Sequence, residues 1–333
     1  MGSFLRRHIF AMVAALLGVA LALGGAEVLL QAVGVGPWKP FAGFGDLPSM
    51  TLPHDTLGWV NRPGRYVYAP IADTPETINV TIDPSGARAT SAGVPASHSV
   101  WMAGGSFIFG FGVDDDQTLP SALARLRPDL QIENYAVPGY GTVQSRGLFS
   151  EVLGDGIGPK TVIYGLVDYH DARNVAAPSW LYGLDQAAGP NPWVKVPSVE
   201  WDGKTLKTVA PKGYRHWPMS ERWSVIYLFE RGVVALRDWG TEGKTEVTVQ
   251  VIKAWQGEIE SAGAELLVAL LHAPEAGDVY RERLAEEGVR FVDLVNARYP
   301  GPGFSLPGDG HPTPLVYEGW AETLAGFIHS TSR

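Results

Sequence analysis

The chain predicts an α/β fold of three layers, α/β/α, around a mostly parallel sheet, preceded by one N-terminal transmembrane helix. Three observations carry this. From residue 98 onward short apolar runs alternate with helical patterns, as in parallel sheets covered on both faces. The N-terminus sets a long apolar run behind Arg6, Arg7 and His8. With 45% hydrophobic and 18% charged residues, and 11 Trp, 12 Tyr and 12 Phe among 333, the composition is that of a packed globular chain.

The apolar run extends from about Ile9 to Val35, long enough for the about 20 residues that span a bilayer. Basic residues before it and none soon after predict an N-in orientation, with the chain from about Gly36 outside the cytoplasm, periplasmic or extracellular. Gly24 and Ala26 are small enough for a signal peptidase, but "VLLQAVGVG" continues the run and favours an uncleaved anchor. Glu27 is costly inside a span, and its simpler reading is a glutamate at the outer interface. Residues 1–36 are thus the anchor or signal segment, and the lipid bilayer is an expected partner.

Residues 37–97 read as a Pro- and Gly-rich linker into an irregular extension, with one short strand in the alternation of Ile78, Val80 and Ile82 before a Pro-Ser-Gly turn. The main domain follows. Strands are expected in "SVWMAG", "LQIENYAV", "KTVIYGLV", "AELLVALLH" and "VRFVDL". The helices between and after them are "TLPSALARLRP", "GTVQSRGLFSEVL", "TEVTVQVIKAWQGEIESAG", "DVYRERLAEEG" and "PLVYEGWAETLAGFIHS". An aromatic- and proline-rich insertion at about 175–237 interrupts this order between the third and fourth strands. It reads as a surface insertion with its own aromatic cluster; the alternative is a lid offering stacking surfaces to a sugar ring.

Several functions are excluded. A net charge of −9 without basic clusters beyond the extreme N-terminus argues against nucleic acid. The absence of cysteine removes disulfides, thiolate metal sites and a cysteine nucleophile. Gly243-Lys244-Thr245 is no P-loop, because the glycine required five residues earlier is Asp238. Asp168, His170, Asp171, Asp309 and His311 lack metalloprotease spacing, and no metal or cofactor is expected. His216, beside Arg215 and Trp217, reads as packing.

In parallel sheets ligands sit beyond the carboxyl ends of strands, so the residues that follow strands are the candidates. Ser106 leaves the first core strand in "VWMAGGSFIFGFGV" and enters a helix, a suitable place for a nucleophile. It is not the nucleophile elbow of α/β-hydrolases, since Ile108 stands where that motif needs glycine. A serine nucleophile needs a histidine base and a carboxylate to orient it, and "GDGHPT" offers Asp309 and His311 before the last helix. Oxyanion donors could come from Gly139 or Gly141 after the second strand. After the third strand lie Asp168, His170 and Asn174; an ionised carboxylate cannot donate, so His170 or Asn174 is the better third donor.

Together these loops resemble the SGNH, or GDSL, hydrolase family. "AGGSFIFGFGVDDDQTLP" is similar to its first block, "NYAVPGYGTVQS" to its second and "GDGHPT" to its fourth. The resemblance implies a flavodoxin-like sheet over 98–333, a triad of Ser106, Asp309 and His311, and an oxyanion hole of Ser106, Gly139 and His170. "LGWVNRPG" and "VTIDPSGAR" look like the extension of membrane-anchored members. There are three departures. Gly105 replaces the Asp before the nucleophile, "GLVDYHD" lacks the third block's Asn, and Asp309 and His311 are separated by one residue instead of two. The last is similar to alginate O-acetyltransferase-like members. The expected function is a serine-dependent esterase acting on O-acyl esters of a small molecule or polysaccharide. The alternatives are an O-acetyltransferase and a non-catalytic carbohydrate-binding or assembly protein.

Overall fold

The structure is a computed structural model and describes residues 2–40, 50–69, 76–91, 98–154, 158–188, 194–239, 243–274, 276–295, 298–308 and 310–328. An apolar helix, α1 (Gly2–Ala32), precedes two antiparallel hairpins, β1 (Thr51–His54) with β2 (Gly58–Asn61) and β3 (Gly64–Tyr68) with β4 (Ile78–Ile82). Then come β5 (His98–Gly104), a one-turn helix α2 (Ser106–Phe109), α3 (Leu119–Leu126), β6 (Leu130–Asn134), α4 (Thr142–Leu153), β7 (Thr161–Val167) and a short α5 (His170–Asn174). The span expected as an insertion holds α6 (Pro178–Ala188), the hairpin of β8 (Val196–Trp201) and β9 (Leu206–Lys212), and α7 (Ser224–Asp238). The chain continues through α8 (Lys244–Ser261), β10 (Glu265–His272), α9 (Gly277–Glu286), β11 (Phe291–Asp293) and α10 (Pro314–Phe327).

These elements form two compact units, one of residues 1–41, 178–193 and 214–240, the other of residues 42–177, 194–213 and 241–333. The larger unit holds a five-stranded sheet in the order β11-β10-β7-β5-β6, with every pair parallel. Counted along the chain this is the doubly wound order 2-1-3-4-5. Successive side chains leave a strand on opposite faces, and the two cores divide accordingly. Val100, Met102, Ile163 and Leu267 pack under α3 and α10, whereas Trp101, Ala103, Val162, Tyr164 and Leu266 pack under α4, α8 and α9. All seven residues of β7 are buried, as expected of a central strand covered on both sides.

The winding reverses at the central pair β5 and β7, where their carboxyl ends leave a crevice between the two directions of chain travel. Ser106 and His170 follow these two strands directly.

Two expected segments gain detail. In the extension Gly58, at φ 87°, closes a tight β1-β2 hairpin. The stretch 175–237 divides between the two units. Hairpin β8-β9 packs Val199, Trp201 and Leu206 on Val247 and Val251 of α8, within the larger unit. Helices α6 and α7 belong to the smaller unit.

In that smaller unit Phe4–Ala32 is long and apolar enough to cross a membrane by length and composition. Its 29 residues rise by about 44 Å, against about 30 Å of hydrocarbon. Glu27 is 7% exposed. Its carboxylate accepts hydrogen bonds from the Ser224 N–H (2.9 Å), the Val225 N–H (3.0 Å) and Gln31 Nε2 (2.7 Å). Glu27 thus caps the N-terminus of α7, whose first amides have no partner within the helix. His216 stacks on Trp38 (3.8 Å between centroids) and bonds to Asp185 and Glu221, beside a small cluster of Trp38, Tyr182 and Val234.

Candidate active site

Ser106 is the first residue of α2, held at the sheet's carboxyl edge by the turn through Gly104 and Gly105. Helix α2 ends after one turn at Gly110, which has φ 82°. His311 lies in the segment before α10, and its Nε2 is 2.8 Å from Ser106 Oγ, although the two residues are 205 positions apart in the chain. The imidazole packs against Phe107 and Phe111 (5.5 and 5.1 Å between centroids), which restrict its orientation. Backbone pairing of Leu306 N–H with His311 C=O (2.7 Å) and a bond from Tyr299 OH to Gly310 C=O (2.8 Å) hold this loop. Asp309 lies outside the described residues.

Gly139, at φ 86°, sits in the turn after β6. The indole of Trp59 in β2 closes over it: a Cβ at 139 would lie 2.8 Å from the ring, and Trp59 Nε1 donates to Pro138 C=O (2.9 Å). Tyr140 OH donates back to Trp59 C=O, and Asn61 Nδ2 donates to Ala136 C=O (3.0 Å). Val137 N–H bonds Gly104 C=O (3.1 Å), which ties this turn to the one that carries Ser106.

His170 is buried at the start of α5, with Nδ1 2.6 Å from Tyr164 OH. Asn174 Oδ1 accepts from Val143 N–H, so Asn174 Nδ2 donates to Thr142 Oγ1. Thr142 Oγ1 lies 2.8 Å from Tyr164 OH, which completes a buried chain of polar groups from Asn174 to His170. His170 Nε2 has no partner among the described residues. Burial, with the charge of Arg173 acting in the same direction, holds His170 well below the ordinary imidazole value. Its imidazole is therefore held neutral.

Gly105 acquires a physical reason. A Cβ there would lie 3.0 Å from Tyr140 C=O and 3.2 Å from both Arg173 Nη1 and His170 Nε2. The space that an aspartate would occupy is filled by an imidazole and a guanidinium. Arg173 donates to Tyr140 C=O (2.8 Å), and burial lowers its pKa to about 10, so it stays charged at neutral pH. Gly105, Ser106, Tyr169, His170 and Arg173 line one small cleft.

Asn174 drops out as an oxyanion donor, since both its N–H groups are used, on Thr142 (2.9 Å) and Thr248 (2.8 Å). Asp171 is likewise turned away, accepting from Thr245, Thr248 and Tyr280. Asp168 lines a separate, more open cleft with Lys244 and Thr245.

Sequence reasoning missed three supporting residues. Arg88, 1% exposed, binds Asp115 Oδ1 (2.9 Å) and the carbonyls of Phe109 (2.9 Å), Gly110 (2.6 Å) and Val113 (2.7 Å). It thus fastens the loop behind Ser106. Trp59 does the same for the Gly139 turn, and Arg173 for the Gly105 turn. Their only signal was position, Trp59 and Arg88 in the two motifs of the extension and Arg173 one turn after His170.

No family model matches the chain, and no curated protein matches it. Among solved structures it is similar to a candidate lipolytic protein of the G-D-S-L family from Desulfitobacterium hafniense DCB-2, at 14% identity over 70% of this chain and 100% of that one, with a TM-score of 0.42. It is also similar to TesA (13%, 68% and 96%, TM-score 0.42) and to the psychrotrophic esterase EstA from Pseudoalteromonas sp. (9%, 69% and 98%, TM-score 0.42).

Proposed function

We propose that the chain is a serine-dependent hydrolase of O-acyl esters, with Ser106 as nucleophile and His311 as general base. The 2.8 Å approach of His311 Nε2 to Ser106 Oγ carries this reading. In the first step Ser106 Oγ attacks the ester carbonyl as its proton passes to His311. Negative charge develops on the former carbonyl oxygen, and the donors proposed to meet it are the Ser106 N–H, the Gly139 N–H and His170 Nε2–H. His311 returns the proton to the leaving alcohol, giving an acyl-Ser106 intermediate. Water, deprotonated by His311, attacks it, the bond to Ser106 Oγ breaks as His311 returns that proton to Oγ, and the acid is released. Asp309, by resemblance, orients His311.

A sugar hydroxyl in place of water would make the same site an O-acyltransferase, a reading favoured by the single residue between Asp309 and His311. A non-catalytic role fits less well with a histidine in hydrogen-bond contact with the serine. The proposed setting is outside the cytoplasm, tethered by α1 with its N-terminus inside, where an acylated polysaccharide would be the accessible substrate class. A fluorophosphonate probe on the full chain tests the core of the proposal. Covalent labelling should map to Ser106 and vanish in Ser106→Ala, whereas absence of labelling in the folded wild type would overturn it. Addition of a glycan acceptor separates transfer from hydrolysis, since only a transferase releases the donor's leaving group faster.

A further inference from the structure

Helix α7 is amphipathic in an unusual way. One face, through Tyr227, Glu230 and Val234, packs on the Trp38 and Tyr182 cluster of its own unit. The opposite face repeats apolar residues at Val225, Leu228, Phe229, Gly232, Val233 and Leu236, a spacing of three and four that makes a single stripe. This is the face that a helix of a water-soluble unit would make polar. Phe229 is 65% and Leu236 66% exposed, and Trp239, just past the helix, is 82% exposed. Arg231 and Arg237 flank the stripe on either side.

We infer that this face of α7 is a membrane-binding surface, lying in the interfacial layer of the same bilayer that α1 enters, with phospholipid acyl chains occupying its groove. The inference rests on the anchor reading of α1. What identifies the occupant is continuity. The stripe forms one groove of about 590 Å³ with Ala26, Leu29 and Leu30 at the end of α1, lined almost wholly by apolar atoms. Glu27 joins the two helices through the Ser224 and Val225 amides, so that the exposed stripe begins beside the last two turns of the candidate span. An exposed patch of this kind is a liability in water but is favourable in the acyl and headgroup boundary. The flanking arginines can lay their stems along that boundary and reach lipid phosphates.

The chain has no cysteine, so single cysteines can be labelled without background. The test uses the full chain in vesicles of phosphatidylcholine and phosphatidylglycerol, with an environment-sensitive fluorophore at Phe229→Cys or Leu236→Cys. Leu17→Cys in α1 and Ala285→Cys, exposed on α9, serve as references. Labels at 229 and 236 should lose most of their emission to lipids brominated near the headgroup end of the chain and resist aqueous iodide, while the label at 285 behaves oppositely. Iodide quenching at 229 and 236 equal to that at 285 would overturn the inference. So would protection from both quenchers, which would mean that another protein surface covers the face. If the label at 17 is also untouched by lipid quenchers, the anchor reading itself fails; if only 229 and 236 are, the α7 inference alone fails.

Discussion

Replacing Arg88 by methionine removes a buried cation while keeping most of its apolar stem. Its guanidinium donates to three main-chain carbonyls, those of Phe109, Gly110 and Val113, and to the carboxylate of Asp115. Each carbonyl bond is worth about 1 kcal/mol, because the bare acceptor is left in the protein interior. The ion pair adds about 1 kcal/mol, discounted because part of the Asp115 side chain is open to water. The sum is about 4 kcal/mol, a large share of the 5–15 kcal/mol typical of a domain. The unfolding midpoint should fall by about 10 °C. The freed loop continues directly from α2, so the position of Ser106 should suffer as well; a 1 Å misplacement can cost about 100-fold in rate. Thermal unfolding followed by near-UV circular dichroism gives the first quantity, and turnover of a small acetyl ester well below the transition gives the second. A midpoint within about 2 °C of wild type together with unchanged turnover would refute the clamp.

Further expectations concern the remaining parts of the site and the smaller unit. Ser106→Ala should abolish ester turnover and leave the unfolding midpoint near that of wild type; retained turnover would remove Ser106 as nucleophile. His170→Leu should lower kcat by about 100- to 1000-fold with KM little changed if Nε2–H meets the oxyanion, and an effect confined to KM would argue for substrate contact instead. His170 also has a pH signature. Its pKa is depressed in the folded state, so below about 6.5 the unfolded chain binds a proton that the folded chain refuses. The resulting loss of stability as pH falls from 7.5 to 5.5 should be shallower in His170→Gln, as read by urea unfolding at both values. In the smaller unit Glu27→Leu leaves the first amides of α7 uncapped at a cost of about 1 kcal/mol. Hydrogen exchange at Ser224 and Val225 should accelerate severalfold, and unchanged exchange would exclude the cap.

The alternation of strands and helices, the apolar N-terminal run and the glycine-rich turns after the strands were legible in the residues themselves. Each depends on periodicity or backbone freedom within a few neighbours, so "SVWMAG" and "AELLVALLH" are found as β5 and β10. Helix α7 escaped because its stretch is crowded with Trp, Tyr and Arg on both sides and carries two apolar faces, so no single polar face marked it. Asp309 and His311 were visible as a loop pair, but no local pattern states which strand end that loop reaches.

Ser106, Gly139, His170 and His311 were thus determined as candidates by residue type and by position after a strand. The meeting of Ser106 with His170 and His311 was decided by tertiary structure. The order 2-1-3-4-5 makes β5 and β7 neighbours, so that Ser106 and His170 share one crevice, and the chain returns across the sheet to bring His311 to the same edge. The burial of His170 against Tyr164, the filling of the Gly105 site by Arg173 and the capping of α7 by Glu27 were also decided there. All are contacts between groups distant in the chain, and the energy of such contacts is set by burial and geometry that no short window of residues contains.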